Sequence, residues 1–212
     1  MEKGHGELTY RNIAKVTSYE SRLRLVEEVN NLAEKSKRSD KDPITGLDGK
    51  YPLNDMVLGL QSRWENDNSI KGAFIVADLT DLHNVNDVYG ERAGGDDYLI
   101  AVAEIFKDLA RGNGRCFRDG QQADTFVLYL PGLKTKEDLV SVLDKSDEEL
   151  KRKEKSYQGT YPHIRFGLSY CTSSFNEKVG PTESYTEASN KMGEAKKLAR
   201  SFGKKETGRI FL

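Results

Sequence analysis

The chain has 212 residues, a length that suits one domain with an attached segment. It has 33 basic and 34 acidic side chains, and this balance argues against a nucleic-acid-binding or membrane-binding surface. The polar amino terminus is unlike a signal peptide, and no apolar run approaches the roughly 20 residues of a membrane helix. The sequence therefore predicts a soluble cytoplasmic protein.

Cysteine and histidine chemistry is not favoured by the spacing of these residues. The two cysteines, Cys116 and Cys171, fall on separate predicted strands and lack the spacing of metal ligands. Buried thiols in a reducing cytosol are the expected state. The histidines are scattered, which disfavours a histidine metal site or a histidine-based nucleophile.

Residues from Tyr10 to Lys37 have a helical pattern with a narrow apolar stripe. The stripe consists of Leu25, Val26, Val29, Leu32 and Ala33. Two interpretations stay open: a helix packed on its own domain, or a signalling helix that forms a homodimer. The stripe is too short to require a coiled coil. We expect an N-terminal helix and charged linker over residues 1–41 and one domain over residues 42–212.

The domain begins with an ordered corner at Asp42–Leu47, where Pro43 fixes φ and Gly46 permits a turn. Apolar residues at helical spacing then predict a helix that ends near Asn66–Ser69. The next segment, Ile70–Leu79, is almost continuously apolar. Such a run is typical of a central strand that is buried on both faces.

Strand and helix patterns follow in turn along the second half of the chain. A helix is expected over Asp96–Ala110, and Cys116–Pro131 has the pattern of two short strands joined by a tight polar turn. The remaining elements are a helix over Thr135–Ser156, a strand over His163–Thr172, a helix over Glu183–Phe202 and a strand over Arg209–Leu212. This order predicts an α+β (α/β) fold with a mixed sheet flanked by helices.

Two carboxylates lie at the ends of predicted strands. Asp78 ends the long apolar run, and Asp124 lies at the start of the second hairpin strand. Two acids that face each other at strand ends can bind Mg²⁺ together with the phosphates of a nucleotide. Surface or turn aspartates are the alternative, and the pattern alone leaves both open.

Six motifs occur in the order found in one known family. They are Asp42-Pro-Ile-Thr-Gly-Leu47, Asp78-Leu-Thr-Asp-Leu-His-Asn-Val-Asn-Asp87, Tyr89-Gly90 with Gly95-Asp96-Asp-Tyr-Leu99, Phe126-Val-Leu-Tyr-Leu-Pro131, Ile164-Arg-Phe-Gly167, and Ala195-Lys196 with Arg200. Together they resemble the GGDEF domain of diguanylate cyclases. The resemblance implies a mixed sheet related to nucleotidyl cyclase and polymerase palm domains. It also implies synthesis of cyclic di-GMP from two GTP, with the active sites of two subunits facing each other.

The resemblance assigns metal-binding and catalytic roles to the two strand-end acids. Asp78 and Asp124 align with acids that hold Mg²⁺ or Mn²⁺ on the GTP phosphates, which makes Asp124 the candidate catalytic acid as well.

The same resemblance assigns nucleotide contacts. Asn86 and Asp96 align with a pair that recognises guanine, although one extra residue precedes Asp96; a loop asparagine and a helix-capping aspartate are the alternatives. Lys196 and Arg200 align with phosphate-binding residues and lie four apart, on one helix face. A solvated basic face is the alternative for this pair.

The chain departs from the family at several positions. Gln122 and Ala123 replace two glycines that allow a tight turn close to the nucleotide. Thr125 replaces a glutamate, which removes one carboxylate from the metal site. Thr80 replaces a second acid of the first motif, and His83 replaces a phosphate-binding lysine.

The hairpin and a regulatory motif also differ. Arg118–Gln121 lengthens the hairpin, and Asn113–Cys116 stands where the family has an inhibitory R-x-x-D product site. Loss of one carboxylate from a phosphoryl-transfer site lowers the rate by orders of magnitude, because such catalysis is mostly electrostatic positioning.

We therefore expect a degenerate GGDEF domain that is impaired in cyclic di-GMP synthesis. It would act in signalling as a module that binds a nucleotide such as GTP or interacts with another protein. The alternative is an active, divergent diguanylate cyclase for which Asp78 and Asp124 are sufficient metal ligands. The segment Ala93–Asp97 is also similar to the Gly-Gly-Asp-Asp motif of CRISPR-associated polymerase palm domains, which we attribute to chance because it opens a helix here.

Overall fold

The computed structural model describes residues 23, 24, 26, 27, 41–119, 124–133, 135–201 and 208–212. The chain divides into two units, Met1–Ser39 and Asp40–Leu212. In the first unit the described residues have helical backbone. Most of the predicted N-terminal helix and its apolar stripe lie outside the described residues, so a homodimer through that helix stays a prediction. No helix in the described part of the chain is long and apolar enough to cross a membrane.

The second unit has a five-stranded sheet and five α-helices among its described residues. In chain order they are α1 (Lys50–Asn66), β1 (Gly72–Leu79), α2 (Leu82–Tyr89), α3 (Asp96–Leu109), β2 (Arg115–Arg118), β3 (Thr125–Pro131), α4 (Lys136–Tyr157), β4 (Leu168–Phe175), α5 (Pro181–Ser201) and β5 (Arg209–Phe211). The sheet order is β2-β3-β1-β4-β5, and only the β4–β5 pair is parallel. This confirms the predicted α+β fold with a mixed sheet.

Strand β1 lies in the middle of the sheet and is buried along its whole length. Successive side chains point to opposite faces of a strand. Ile75 and Ala77 belong to the core that includes α3 and α4, whereas Phe74 and Val76 belong to the core that includes α1 and α5. By the same alternation Asp78 lies on the face covered by α1 and α5.

Helix α5 packs closely on that face because the residues it buries are mostly small. They are Pro181, Ser184, Ala188, Met192, Ala195 and Ala199, at spacings of three and four residues. The Ser184 hydroxyl donates to the Ser173 hydroxyl of β4 at 3.0 Å, which fixes the first turn of the helix on the sheet. As a result Lys196, near the other end of α5, reaches the end of β1.

The predicted corner after the linker is confirmed, and its first residue closes it. The Asp42 carboxylate accepts hydrogen bonds from the Thr45 backbone N–H at 2.8 Å and from the Thr45 hydroxyl at 2.6 Å. Gly46 has a φ of +66°, a left-handed conformation that glycine adopts without strain. Arg118, the last residue of β2, donates to both carboxylate oxygens of Asp42 at 2.8 and 2.9 Å. The corner is therefore fastened to the hairpin that leads to Asp124.

The predicted strand His163–Thr172 is wrong at both ends, since β4 begins and ends later in the chain. The backbone N–H groups before β4 bind side chains instead of a neighbouring strand. Phe166 N–H donates to the Glu154 carboxylate at 2.9 Å, and Gly167 N–H donates to the Tyr98 hydroxyl at 2.7 Å. These partners come from other elements, 12 and 69 residues away, so a local strand pattern does not reveal them.

Helix α2 is absent from the sequence-based prediction. Only Val85 is buried on it, so its apolar pattern is weak. The preceding residue, Asp81, has a left-handed φ of +66°, and the Asn84 side-chain amide donates to the Asp81 carboxylate at 2.6 Å. A local side-chain hydrogen bond thus links Asp81 to the first turn of the helix that carries Asn86.

Candidate functional site

Asp78 lies at the end of β1 in a row of three polar residues across the central strands. It is directly opposite Thr125 of β3 on one side and Ser169 of β4 on the other. Its side chain is 3% exposed, and its Oδ2 lies 2.7 Å from the Lys196 Nζ of α5. The Thr125 hydroxyl donates to the same oxygen at 3.0 Å. An ammonium and a hydroxyl therefore bind one oxygen of a buried carboxylate.

The surroundings of Asp78 raise its pKa to about 6. Burial is the main cause, because it removes water from the charged form, and the nearby charge of Asp124 raises the pKa further. The hydrogen bond from Lys196, the charge of Lys196 and the hydrogen bond from Thr125 act in the opposite direction. Asp78 is thus mostly ionised at neutral pH, and its ion pair with Lys196 helps to keep it so.

Asp124 and Asp78 line one cavity of about 370 Å³. Asp124 lies in the turn just before β3, and its carbonyl oxygen accepts the Leu79 N–H at 3.1 Å. The other lining residues are Leu79, Thr80, Asp81, Leu82, His83, Asn84, Ser169, Lys196 and Ala199. The structure therefore brings together three predicted site residues, Asp78, Asp124 and Lys196.

The donor set of this cavity fits a hard cation that is bound partly by a nucleotide. Mg²⁺ prefers oxygen ligands, keeps several waters, and commonly uses one or two carboxylates together with substrate phosphates. Asp78 and Asp124 would supply these carboxylates. Within the described residues no group of three His, Cys, Asp or Glu side chains could hold a metal ion. A cation at this site would have two protein carboxylates and would take its other oxygen ligands from phosphate and water.

Thr125 is the position at which the sequence resemblance predicts the loss of a glutamate. In this structure Thr125 is 4% exposed, and its hydroxyl donates to Asp78. A hydroxyl adds no negative charge to the site. Gln122 and Ala123, which the resemblance also predicts to differ from the family signature, lie outside the described residues. Their effect on nucleotide approach stays a prediction.

The segment before Asp96 forms a π-helical turn, Glu91–Gly95, between α2 and α3. In this turn the Gly95 N–H donates to the Gly90 carbonyl, five residues earlier, at 3.3 Å. A π-turn adds one residue to a helical path, and such turns are frequent at functional sites. The turn leads directly into α3, of which Asp96 is the first residue. A π-turn is one way to hold the extra residue that the resemblance predicts before Asp96.

Asn86 packs against this turn. A Cβ atom on Gly95 would lie 2.0 Å from the Asn86 Oδ1, so the close approach requires glycine. The Asn86 Oδ1 is buried and has no hydrogen-bond partner within the part of the chain that the structure describes. Asn86 therefore lies beside Gly95, the residue that precedes Asp96. Neither Asn86 nor Asp96 lines the cavity of Asp78.

The remaining predicted residues have distinct positions. Arg200 lies near the end of α5, and its side chain is outside the described structure. His83 lines the cavity and is exposed, with its Nε2 3.4 Å from the Asp87 carboxylate. Sequence reasoning missed Ser169, because only the β1–β4 register places it opposite Asp78.

The sequence profile of one family, described as "Diguanylate cyclase, GGDEF domain", matches residues 39–201 of this chain. Among curated proteins, the uncharacterized protein YtrP of Bacillus subtilis (strain 168) is 38% identical over 63 residues. That match covers 30% of this chain and 10% of YtrP, so this chain spans about a tenth of that relative.

Solved structures of similar fold include three bacterial proteins. The GGDEF domain of DgcB from Caulobacter crescentus, in complex with c-di-GMP, has a TM-score of 0.64 at 14% identity over 82% of this chain and 95% of that one. The diguanylate cyclase SiaD from Pseudomonas aeruginosa, in complex with its activator SiaC, has a TM-score of 0.62 at 19% identity, over 95% of this chain and 77% of SiaD. The GGDEF domain of FimX from Pseudomonas aeruginosa has a TM-score of 0.58 at 18% identity, over 82% of this chain and 100% of the FimX domain. The family match and the shared fold show that the chain belongs to the GGDEF family of diguanylate cyclase domains.

Proposed function

We propose that this GGDEF domain binds a guanine nucleotide, GTP or a related one, together with Mg²⁺ or Mn²⁺, and is impaired in the synthesis of cyclic di-GMP. In this proposal it acts in signalling as a nucleotide-binding regulatory module or a protein-interaction module. The observation that supports it best is the pairing of Asp78 with Lys196 and Thr125, where an active site would need a third carboxylate.

Nucleotide binding is supported by the composition of the cavity. Asp78 and Asp124 provide carboxylates for a cation, and Lys196 provides a positive charge for phosphate. When a nucleotide and its cation enter, Lys196 would exchange Asp78 for a phosphate oxygen. The similar structure of the DgcB GGDEF domain contains c-di-GMP, which is consistent with a nucleotide ligand for this fold.

Impaired catalysis is supported by the chemistry of Thr125. A hydroxyl neither holds a divalent cation as strongly as a carboxylate nor accepts a proton at neutral pH. The cation at this site would keep two protein carboxylates, those of Asp78 and Asp124. Phosphoryl transfer relies on such charges for positioning and stabilisation, so the expected rate is low.

Further contacts to the nucleotide are proposed for three residues outside the described cavity lining. Asn86 and Asp96 would contact guanine, and Arg200 would contact phosphate. The unpartnered Oδ1 of Asn86 is consistent with this role, because a buried amide oxygen without a partner has an unused hydrogen-bonding capacity.

The wider assembly is also part of the proposal. We assign residues 1–41 to a helix and linker that precede the domain at 42–212, and we place the protein in the cytoplasm. The helix would connect the domain to a second copy or to a protein partner. The similar structure of SiaD in complex with its activator SiaC is a precedent for protein partners of this fold.

An active cyclase remains the second candidate, because Asp78 and Asp124 share one cavity. Calorimetric titration with GTP in Mg²⁺ or Mn²⁺, followed by overnight incubation and mass spectrometry of the products, separates the two. Binding with intact GTP supports the regulatory module. A cyclic di-GMP peak that disappears in the D124A variant establishes the active enzyme instead. Absence of binding at millimolar GTP in both metals rejects the nucleotide-binding proposal.

A further inference from the structure

Ser169 is a buried hydroxyl beside the carboxylate of Asp78. It lies on β4 opposite Asp78 of β1, so both side chains are on the sheet face covered by α5. The residue is 0% exposed, and its Oγ has no hydrogen-bond partner among the residues described. It nevertheless lines the cavity that also contains Asp124 and Lys196.

A buried hydroxyl without a partner is unfavourable, because the protein does not replace the hydrogen bond that water would make. The same strand and face show the usual solution four residues later, where the Ser173 hydroxyl accepts a hydrogen bond from Ser184 at 3.0 Å. On the other side of Asp78, the Thr125 hydroxyl also has a partner. The hydroxyls of Ser173 and Thr125 thus have hydrogen-bond partners, whereas that of Ser169 has none among the residues described. A partner for Ser169 would lie in the cavity.

We propose that the Ser169 hydroxyl donates its hydrogen to a phosphate oxygen of the nucleotide in this cavity. This inference rests on the proposed function, since it adds a contact to the same site. The ammonium of Lys196 lines the same cavity and favours an anionic oxygen there. A hydroxyl is a neutral donor, so it supports phosphate binding and leaves the balance of the two carboxylates and the ammonium unchanged.

The proposal predicts opposite effects on stability and on binding when the hydroxyl is removed. Without ligand, the unpartnered hydroxyl destabilises the fold, so its loss stabilises the protein. With ligand, the same hydroxyl makes a hydrogen bond to a charged group, so its loss weakens binding. A hydroxyl with a purely structural role would not produce this combination.

The test uses the full chain with the S169A substitution, thermal unfolding, and calorimetry with GTP and, as a probe without a base, inorganic pyrophosphate, each with Mg²⁺. We expect roughly tenfold weaker binding of both probes. We also expect the melting temperature of the ligand-free protein to rise by about 2 to 4 °C. The matched control S173A leaves Ser184 without its acceptor, so it should lower the melting temperature and keep the affinity unchanged.

The outcomes separate this inference from the proposed function. If S169A binds GTP like the wild type, the inference is overturned and the proposed function stands. If the wild type binds pyrophosphate but not GTP, the guanine-nucleotide proposal fails, while weaker pyrophosphate binding by S169A still supports the role of Ser169. Weaker binding with a lower melting temperature overturns the inference, and so does a wild type that binds neither probe.

Discussion

The ammonium of Lys196 lies 2.7 Å from a carboxylate oxygen of Asp78, which joins the end of strand β1 to helix α5 across the predicted metal site. The ion pair neutralises an acid that a cation would otherwise bind. The Lys196 side chain is about one-third exposed, whereas the Asp78 side chain is almost fully buried. Entry of a cation and phosphate would therefore require Lys196 to change partner.

The first prediction concerns the pKa of Asp78, which the structure places at about 6. Substitution K196M removes a favourable charge and hydrogen bond and should raise that pKa, whereas D124N removes a repelling charge and should lower it. Titration of the Asp78 carboxyl carbon by NMR measures both shifts. K197M, which changes the adjacent exposed lysine, is the control and should have little effect. A pKa that does not respond to K196M contradicts the ion pair.

The second prediction is that D78N changes the pH dependence of stability. The folded-state pKa of Asp78 lies above the ordinary value of 3.8, so ionisation of this group costs the folded state free energy. The wild type therefore gains stability from this group below about pH 4 and loses it as the pH rises through about 6. Relative to the wild type, D78N should gain on the order of 3 kcal/mol in unfolding free energy between pH 4 and pH 8.

Urea unfolding of both proteins at several pH values measures this difference. Groups that do not interact with Asp78 titrate alike in both proteins and cancel in the comparison. A difference in unfolding free energy that is constant with pH would contradict the raised pKa.

The third prediction concerns the buried ion pair between Arg118 and Asp42. The side chains are 5% and 14% exposed, and removal of one partner leaves a buried charge. Burial would raise the pKa of Asp42, but hydrogen bonds from Thr45 and Arg118 outweigh it and hold the pKa below its usual value. We expect R118M to destabilise the domain by roughly 3 kcal/mol in chemical unfolding.

A matched control is available in the same strand. R115M breaks an ion pair to Asp48 in which Arg115 is 46% exposed, and exposed pairs contribute less than about 1 kcal/mol. Equal losses in R118M and R115M would show that burial of the Arg118 pair has no special role.

The fourth prediction tests the contact between Gly95 and Asn86. In G95A the added Cβ would lie 2.0 Å from the Asn86 Oδ1, so the Asn86 side chain must move. If Asn86 contacts guanine, binding of GTP should weaken about tenfold or more, while binding of pyrophosphate should stay unchanged. Calorimetry with the two ligands measures both effects.

G193A is the control for this substitution. Gly193 lies in the interior of α5 and a Cβ there would meet no atom within 4 Å, so alanine should stabilise the helix by up to about 1 kcal/mol. Loss of GTP and pyrophosphate binding together in G95A would instead indicate general damage to the site.

Much of the fold could be predicted from the sequence because its signals are local. The apolar run that became β1 and the apolar spacing that became α3 were sufficient to place a central strand and a core helix. The corner at Asp42 was also predictable, since Pro43 and Gly46 act within a few residues. The predictions failed at β4, whose start depends on Tyr98 and Glu154, and at α2, which buries little.

For the candidate site too, some features could be predicted from the sequence and others could not. The sequence by itself determined which residues could bind a cation or a phosphate, because the chemistry of Asp78, Asp124 and Lys196 is a property of their side chains. Only the tertiary structure decided that these three share one cavity, that Thr125 bonds to Asp78, and that Ser169 lies opposite it without a partner. The reason is physical: strand register and helix packing join residues that are far apart in the chain, and burial then raises the pKa of Asp78.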